Sequence, residues 1–214
     1  MRKILVLVWL PVLLIAGMFT DLKKEYIDNC EVLLVNRYYN VCYDLNYKSP
    51  IAGYVRLDDK VNKYNITTKY YFRSDTRIPR KYRVYSSKFK NSNFNLGHTI
   101  VSDASQDFSI RSLKETYVMS NVTLQYPRTN KYSYLVVEDY IRTLATEYPY
   151  IDVLTIITYT EEKFKDIQIP KDYYKILKYK DFQQCFKIPN DNNIYKLQSM
   201  IIDCDKLKEE LNHE

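Results

Sequence analysis

Apolar and polar positions along this chain follow two periods, and the change from one to the other marks the elements. After an apolar run from Ile4 to Phe19, the positions Leu22, Tyr26, Val32, Leu33 and Val35 among polar neighbours predict a helix over 21–39. β-Branched and aromatic residues then predict strands at 41–47 and 51–57, the second closed by the turn signal Asp58-Asp59. Residues 58–97 are polar, basic and irregular. A short strand is predicted over 98–102, a loop or helical turn over 105–114, and a further strand over 116–122. Tyr134, Leu135, Val137, Ile141 and Leu144 carry a helical period from Asn130 to Tyr148, with Thr129 as candidate N-cap and Pro149 as the stop. Strands are predicted at 151–159 and 169–178 with a charged loop between them. A polar tail from Asn190 ends in a short helix over 204–211.

Composition narrows the setting. A length of 214 residues suits one domain with appendages, and 46% hydrophobic with 27% charged residues reads as globular rather than disordered. The net charge of +6 suits a polyanionic partner, although charge alone does not assign one. Twenty-three tyrosines against three glycines match an AT-rich coding bias, so they are not read as a base-stacking platform. Arg2, Lys3 and the apolar run read as an export signal over 1–20. Ala16-Gly17-Met18 is a poor cleavage site, which leaves an uncleaved anchor at 4–19 as the alternative; either way the body is expected to leave the cytoplasm, as a periplasmic or secreted protein. Four cysteines in an exported chain favour disulfides, and of three possible pairings proximity in sequence prefers Cys30–Cys42 and Cys185–Cys204. The expected division is a leader at 1–20, an N-terminal helical and disulfide segment at 21–48, a main domain at 49–189 and the tail at 190–214.

The candidate chemistry centres on one of only two histidines, His98, within Asn95-Leu96-Gly97-His98. Downstream stand Asn121, Asn130, Glu138 and Arg142. An imidazole of near-neutral pKa can take a proton from water, while an amide oxygen and a carboxylate suit a hard divalent cation that keeps most of its waters. On a helix, positions 130, 138 and 142 point within about 120° of one another. The expectation is that the His98 ring nitrogen and the Asn130 side-chain oxygen converge on one hydrated cation. Arg142 is then expected to pair with Glu138 at i+4 or to face a phosphate. The plain alternatives are an ordinary surface ion pair, an N-cap asparagine and a solvated basic face over 73–90.

These residues and intervals resemble the DNA/RNA non-specific endonucleases, related to mitochondrial endonuclease G, of the ββα-metal (His-Me finger) class. The resemblance covers roughly residues 50–185. It rests on Gly97-His98, Ser120-Asn121 with Gln125, then Asn130, Glu138 and Arg142, with weaker likeness at Ile78-Pro79, Asp103-Ala104-Ser105 and Ile169-Pro170 with Tyr174-Lys175. It implies an α+β fold with a mostly antiparallel central sheet flanked by helices, the His-bearing strand pair packed on the Asn130 helix. It also implies His98 as general base, Asn130 as ligand of Mg²⁺ (or Mn²⁺), Glu138 on metal-bound water, and Asn121 and Arg142 completing the catalytic set. DNA and RNA are the implied substrates, their phosphates met without base reading by Arg73, Arg77, Arg80 and Arg83. One departure stands out: the family's Asp-Arg before Gly-His is here Asn95-Leu96. The competing expectation is therefore a nuclease fold that binds nucleic acid or a partner without efficient turnover.

Overall fold

The computed structural model of the chain describes residues 12–58, 70–100 and 110–212. Residues 1–11, 59–69, 101–109 and 213–214 lie outside them, among them the first part of the apolar run, Asp59 of the turn signal and Asp103-Ala104-Ser105.

The organising element is a seven-stranded antiparallel sheet in the order β1-β2-β3-β6-β7-β8-β9. Its strands are β1 (Leu33–Val35), β2 (Tyr39–Asp44), β3 (Ser49–Asp58), β6 (Tyr150–Phe164), β7 (Ile167–Tyr179), β8 (Phe182–Pro189) and β9 (Ile201–Ile202). Alternation along β7 shows why the sheet is covered on both faces. Tyr173 and Leu177 enter the core containing Val137, Ile141 and Leu144 of α3 (Tyr134–Glu147). Tyr174 and Ile176 enter a second core with Met18, Phe19 and Leu22 of α1 (Val12–Lys23) and Leu207 of α5 (Cys204–Asn212). Period-2 strands between amphipathic helices thus give three layers.

Several sequence expectations shift. The helix predicted over 21–39 ends early: α1 continues through one π turn, Lys24–Asp28, and the chain then turns into β1. Helical period in Leu33 and Val35 loses to a hairpin in which Leu34 pairs with Val41 and is buried, while Cys30–Cys42 ties the turn to β2. The charged loop expected between the late strands is instead the overhang of a β6–β7 hairpin, with Phe164 paired to Ile167 across a turn at Lys165, φ 59°. Strand β8 was not anticipated, because Gln183, Gln184 and Lys187 hide its apolar positions. Both expected disulfides are present, Cys30–Cys42 and Cys185–Cys204.

The expected segment boundaries cross packed structure. Met18 and Phe19, counted with the leader, are 6% and 3% exposed in the second core. Strands β1 and β2 of the 21–48 segment and β9 of the tail belong to the same sheet as the main domain. Among the described residues no helix is long and apolar enough to cross a membrane.

Beside the first core lies a two-stranded ribbon of β4 (Asn95–His98) and β5 (Val122–Gln125), in register from Asn95↔Gln125 to His98↔Val122. Of the strand expected over 98–102, only His98 is in a strand, Thr99 and Ile100 form a bend, and 101–102 lie outside the described residues. The strand expected over 116–122 becomes the end of α2 (Ile110–Thr116), a bridge from Val118 to Arg73, and a 3-10 turn at Met119–Asn121. The helix after β5 opens at Pro127, a favoured first-turn residue with no N–H to leave unpaired. Thr129 is accordingly not its cap: its hydroxyl donates to the Asp191 carbonyl at 2.6 Å.

Candidate active site

The ribbon sorts its side chains by parity. Leu96 packs with Phe94, Phe164, Val122 and Leu124 in an apolar cluster, and His98 leaves the strand on that same face. Asn95 and Gly97 face the other way. A Cβ on Gly97 would sit 2.0 Å from Gln125 Cδ, so the glycine of Gly-His is required by close approach rather than by its backbone angles.

His98 is held from three sides. Its ring lies 4.9 Å from both the Phe72 and the Tyr117 rings. It hydrogen-bonds the Thr116 backbone, while Nε2 is buried without a partner. Nδ1 is therefore the donor to the Thr116 carbonyl. Burial pushes the imidazole down to about 4, with the Thr116 bond opposing, so the ring is neutral at pH 7 and Nε2 carries a lone pair. Asn121 braces this arrangement: its Nδ2 donates to the same Thr116 carbonyl at 3.2 Å, and its Oδ1 accepts from Ile100 N–H at 2.9 Å.

Asn130 sits on the opposite side of the ribbon's pleat, with Asn95. Its Nδ2 donates to Gln125 Oε1 at 2.7 Å and its Oδ1 accepts from Asn95 Nδ2 at 3.2 Å. His98 and Asn130 share no hydrogen bond, and each is fixed by its own partners. Asn130 lies in a π turn, Thr129–Ser133, in which Tyr134 N–H reaches the Thr129 carbonyl. A π turn advances more slowly than an α turn. It brings Asn130 to within roughly 10° of the direction of Glu138, where an uninterrupted helix leaves them roughly 80° apart. Tyr134 stands between them, its hydroxyl donating to the Thr99 carbonyl at 2.9 Å. Arg142 pairs with Asp139, one turn back, a partner the i+4 expectation did not include.

Among the described residues no three His, Cys, Asp or Glu side chains cluster as a metal cage. One amide oxygen and one half-buried carboxylate still suit Mg²⁺, which takes few protein oxygens and keeps its waters. Asn130 Oδ1 is a hard neutral oxygen already oriented by its amide partners, so the residues fit such an ion.

Of the four arginines expected to meet phosphate, three hold the loop together. Arg77 grips Asp75, with Nη2 at 2.6 Å, and also donates to the Val35 carbonyl at 3.0 Å. Burial raises the Asp75 carboxyl, but bonds from Arg77 and Ser120 outweigh it and hold the group below the ordinary range. Arg83 donates to the Ile78 and Thr76 carbonyls, both at 2.6 Å, and Arg73 donates to the Lys114 carbonyl at 2.6 Å. Arg80 is exposed. Arg73 and Arg77 nevertheless line a cavity of about 500 Å³ together with Arg37, which the sequence did not single out.

The profile of the DNA/RNA non-specific endonuclease family matches residues 22–213. The chain belongs to that family. Its fold is similar to a chain in the crystal structure of the EndoG/EndoGI complex, with a TM-score of 0.75, 17% identity, and coverage of 90% of this chain and 88% of that one. The β4–β5 ribbon followed by α3 is this member's ββα unit. Sequence reasoning missed two features of it: the aromatic cover of Phe72 and Tyr117 over His98, and the buried Lys175 beneath α3. Only the second left a signal, a lone cation inside the apolar run Tyr173-Tyr174-Lys175-Ile176-Leu177.

Proposed function

We propose that the chain is an exported, Mg²⁺-dependent endonuclease that hydrolyses phosphodiester bonds of DNA and RNA without sequence preference, leaving 5′-phosphates. The observation that carries this is His98: a neutral imidazole with one nitrogen tied to a carbonyl and the other, Nε2, left free within a nuclease fold. In this reading Nε2 accepts the proton of the attacking water. Asn121 keeps the ring oriented through the shared Thr116 carbonyl. Asn130 binds the metal directly, Glu138 holds its water, and Arg142 meets the phosphate. When bound, the divalent ion supplies Lewis-acid stabilisation of the phosphorane and the leaving oxygen. Because Asn130 lies across the ribbon's pleat from the His98 side chain, this reading requires His98 to leave the Phe72 and Tyr117 rings and reach the Asn130 side. Arg73, Arg77, Arg80 and Arg83 supply positive potential for the backbone, the first two from the rim of the cavity. Two disulfides fit an oxidising compartment.

A second reading is a nuclease fold that binds nucleic acid without efficient turnover. Leu96 favours it, since it gives the site a packed apolar side chain where the family carries a guanidinium. Purified protein incubated with plasmid and Mg²⁺, with and without EDTA, beside H98A, separates the two. Cutting abolished by either treatment supports the enzyme. A mobility shift without cutting supports the binder, and neither outcome leaves a disulfide-stapled envelope protein with no nucleic-acid role.

A further inference from the structure

The cavity of about 500 Å³ lined by Arg73 and Arg77 is also lined by Arg37, at the tip of the β1–β2 hairpin. That tip is held in place. Asn36 N–H donates to the Tyr39 carbonyl at 2.9 Å, Arg77 donates to the Val35 carbonyl at 3.0 Å and to Asn36 Oδ1 at 3.2 Å, and the Arg37 guanidinium lies 5.3 Å from the Tyr38 ring centroid. Of the two carboxylates on the wall, Asp75 is already matched by Arg77 and Ser120. Glu115 has Oε1 3.7 Å from Arg111 Nε and Oε2 without a donor among the described residues, so its charge opposes an anion in the cavity. Among the described residues neither Arg37 nor Arg73 has a carboxylate partner, and Arg73 spends one nitrogen on the Lys114 carbonyl. Two exposed guanidinium forks on a concave wall suit a ligand with several acceptor oxygens, and phosphate matches that geometry.

Volume and position narrow the ligand. Pockets of roughly 300–1,000 Å³ hold small molecules, so this one admits a nucleotide or the end of a single strand and excludes a duplex. Arg73 bridges Val118, and the residues just before them, Phe72 and Tyr117, cover His98. Neighbours along extended chain point to opposite faces, so the cavity lies on the far face of this wall from the imidazole. It is separate from His98 and backs onto it.

We propose that the cavity binds a phosphate monoester, the 5′-phosphate of a nucleotide or of a strand end, gripped by Arg37 and Arg73 above the Asp75–Arg77 pair. This rests on the nuclease reading only for the source of the ligand, since 5′-phosphates are the products proposed there. A terminal phosphate offers three acceptor oxygens and nearly two charges, enough for two forks, whereas a phosphate inside a strand offers fewer of both.

Binding measured by calorimetry in EDTA, where no divalent ion supports cleavage, tests the proposal. The probes are thymidine, thymidine 5′-monophosphate, the dinucleotide TpT and its 5′-phosphorylated form pTpT. The two monoesters should bind, with thymidine and TpT weaker by about tenfold or more. R37A and R73A should each weaken the monoesters about tenfold, while E115Q tightens them. R80A removes an equal charge from the same loop but not from the cavity wall, and should leave binding unchanged. Tighter binding of pTpT than of the mononucleotide assigns the site to a strand end, and equal binding to a free nucleotide; either upholds the proposal. TpT binding as well as pTpT, neither monoester binding, or R80A losing as much as R37A overturns it, the last by showing only diffuse positive charge. A protein that binds pTpT but cuts no plasmid keeps this site and loses the nuclease reading. One that cuts plasmid but binds neither monoester loses the site alone.

Discussion

At the scale of single residues, His98 and Leu96 carry the tests of the proposed site. The folded His98 takes a proton near pH 4 and an unfolded histidine near 6.5. The unfolded chain thus binds more protons between these values, and stability is lost as pH falls through that window. H98N should show a shallower decline in urea midpoint from pH 6.5 to 4 than wild type. The acid limb of kcat/KM should likewise lie nearer 4 than 6.5 if His98 is the base, and a limb at 6.5 would exclude the buried ring as its source. Leu96 poses the opposite test. L96R restores a cation where family members carry one, and a preorganised donor of this kind commonly accounts for about 10²–10³ in rate. Leu96 also packs against Phe94, Phe164 and Leu124. The expected outcome for L96R is faster plasmid cleavage with a lowered Tm, and an unchanged rate would mean that the cavity arginines already fill the role.

At the scale of elements, the ribbon and the π turn hold the residues of the proposed site. Gln125 crosses Gly97 so closely that any side chain there displaces it, and Gln125 is the partner that orients Asn130. G97A should therefore cost about 1–3 kcal/mol as overpacking. That corresponds to a Tm drop of roughly 2–12 °C for a chain of this size, readable by thermal melts. Nuclease activity should fall further than the stability loss explains. Much of this level was legible beforehand: the helix from Asn130 to Glu147, its stop at Pro149, and the late strands follow from period alone. The π turn was not, because its sequence, Thr-Asn-Lys-Tyr-Ser, carries no signature and its geometry depends on Thr129 bonding to the chain after β8. The shift of the His98 strand has a similar cause. Parity fixes which residues share a face, but the pairing partner decides where the strand stops.

At the scale of the whole molecule, the second core is where the N-terminal helix, α5 and both disulfides meet. Met18, Phe19, Cys42, Cys185 and Leu207 all belong to it. Loops of this size contribute about 3 kcal/mol each when closed by a disulfide. Paired serine substitutions at Cys30 and Cys42 should lower the unfolding free energy by that order, measured by urea titration. A chain beginning at Met18 should keep the wild-type midpoint, whereas one beginning at Thr20 should lose roughly 3–5 kcal/mol for Phe19 alone. Equal midpoints would show that the helix does not contribute to the body. In the sequence, helical period gave the helix of Asn130 and proximity preferred the two disulfides that are present, local properties of the chain, while the α+β class and the candidacy of His98 came with the family resemblance. Only the tertiary structure decided which charges are spent on the fold, which nitrogen of His98 lacks a partner, and that Lys175 is buried over the Tyr134 ring. Burial and pairing arise between segments far apart in sequence, and no local pattern encodes them.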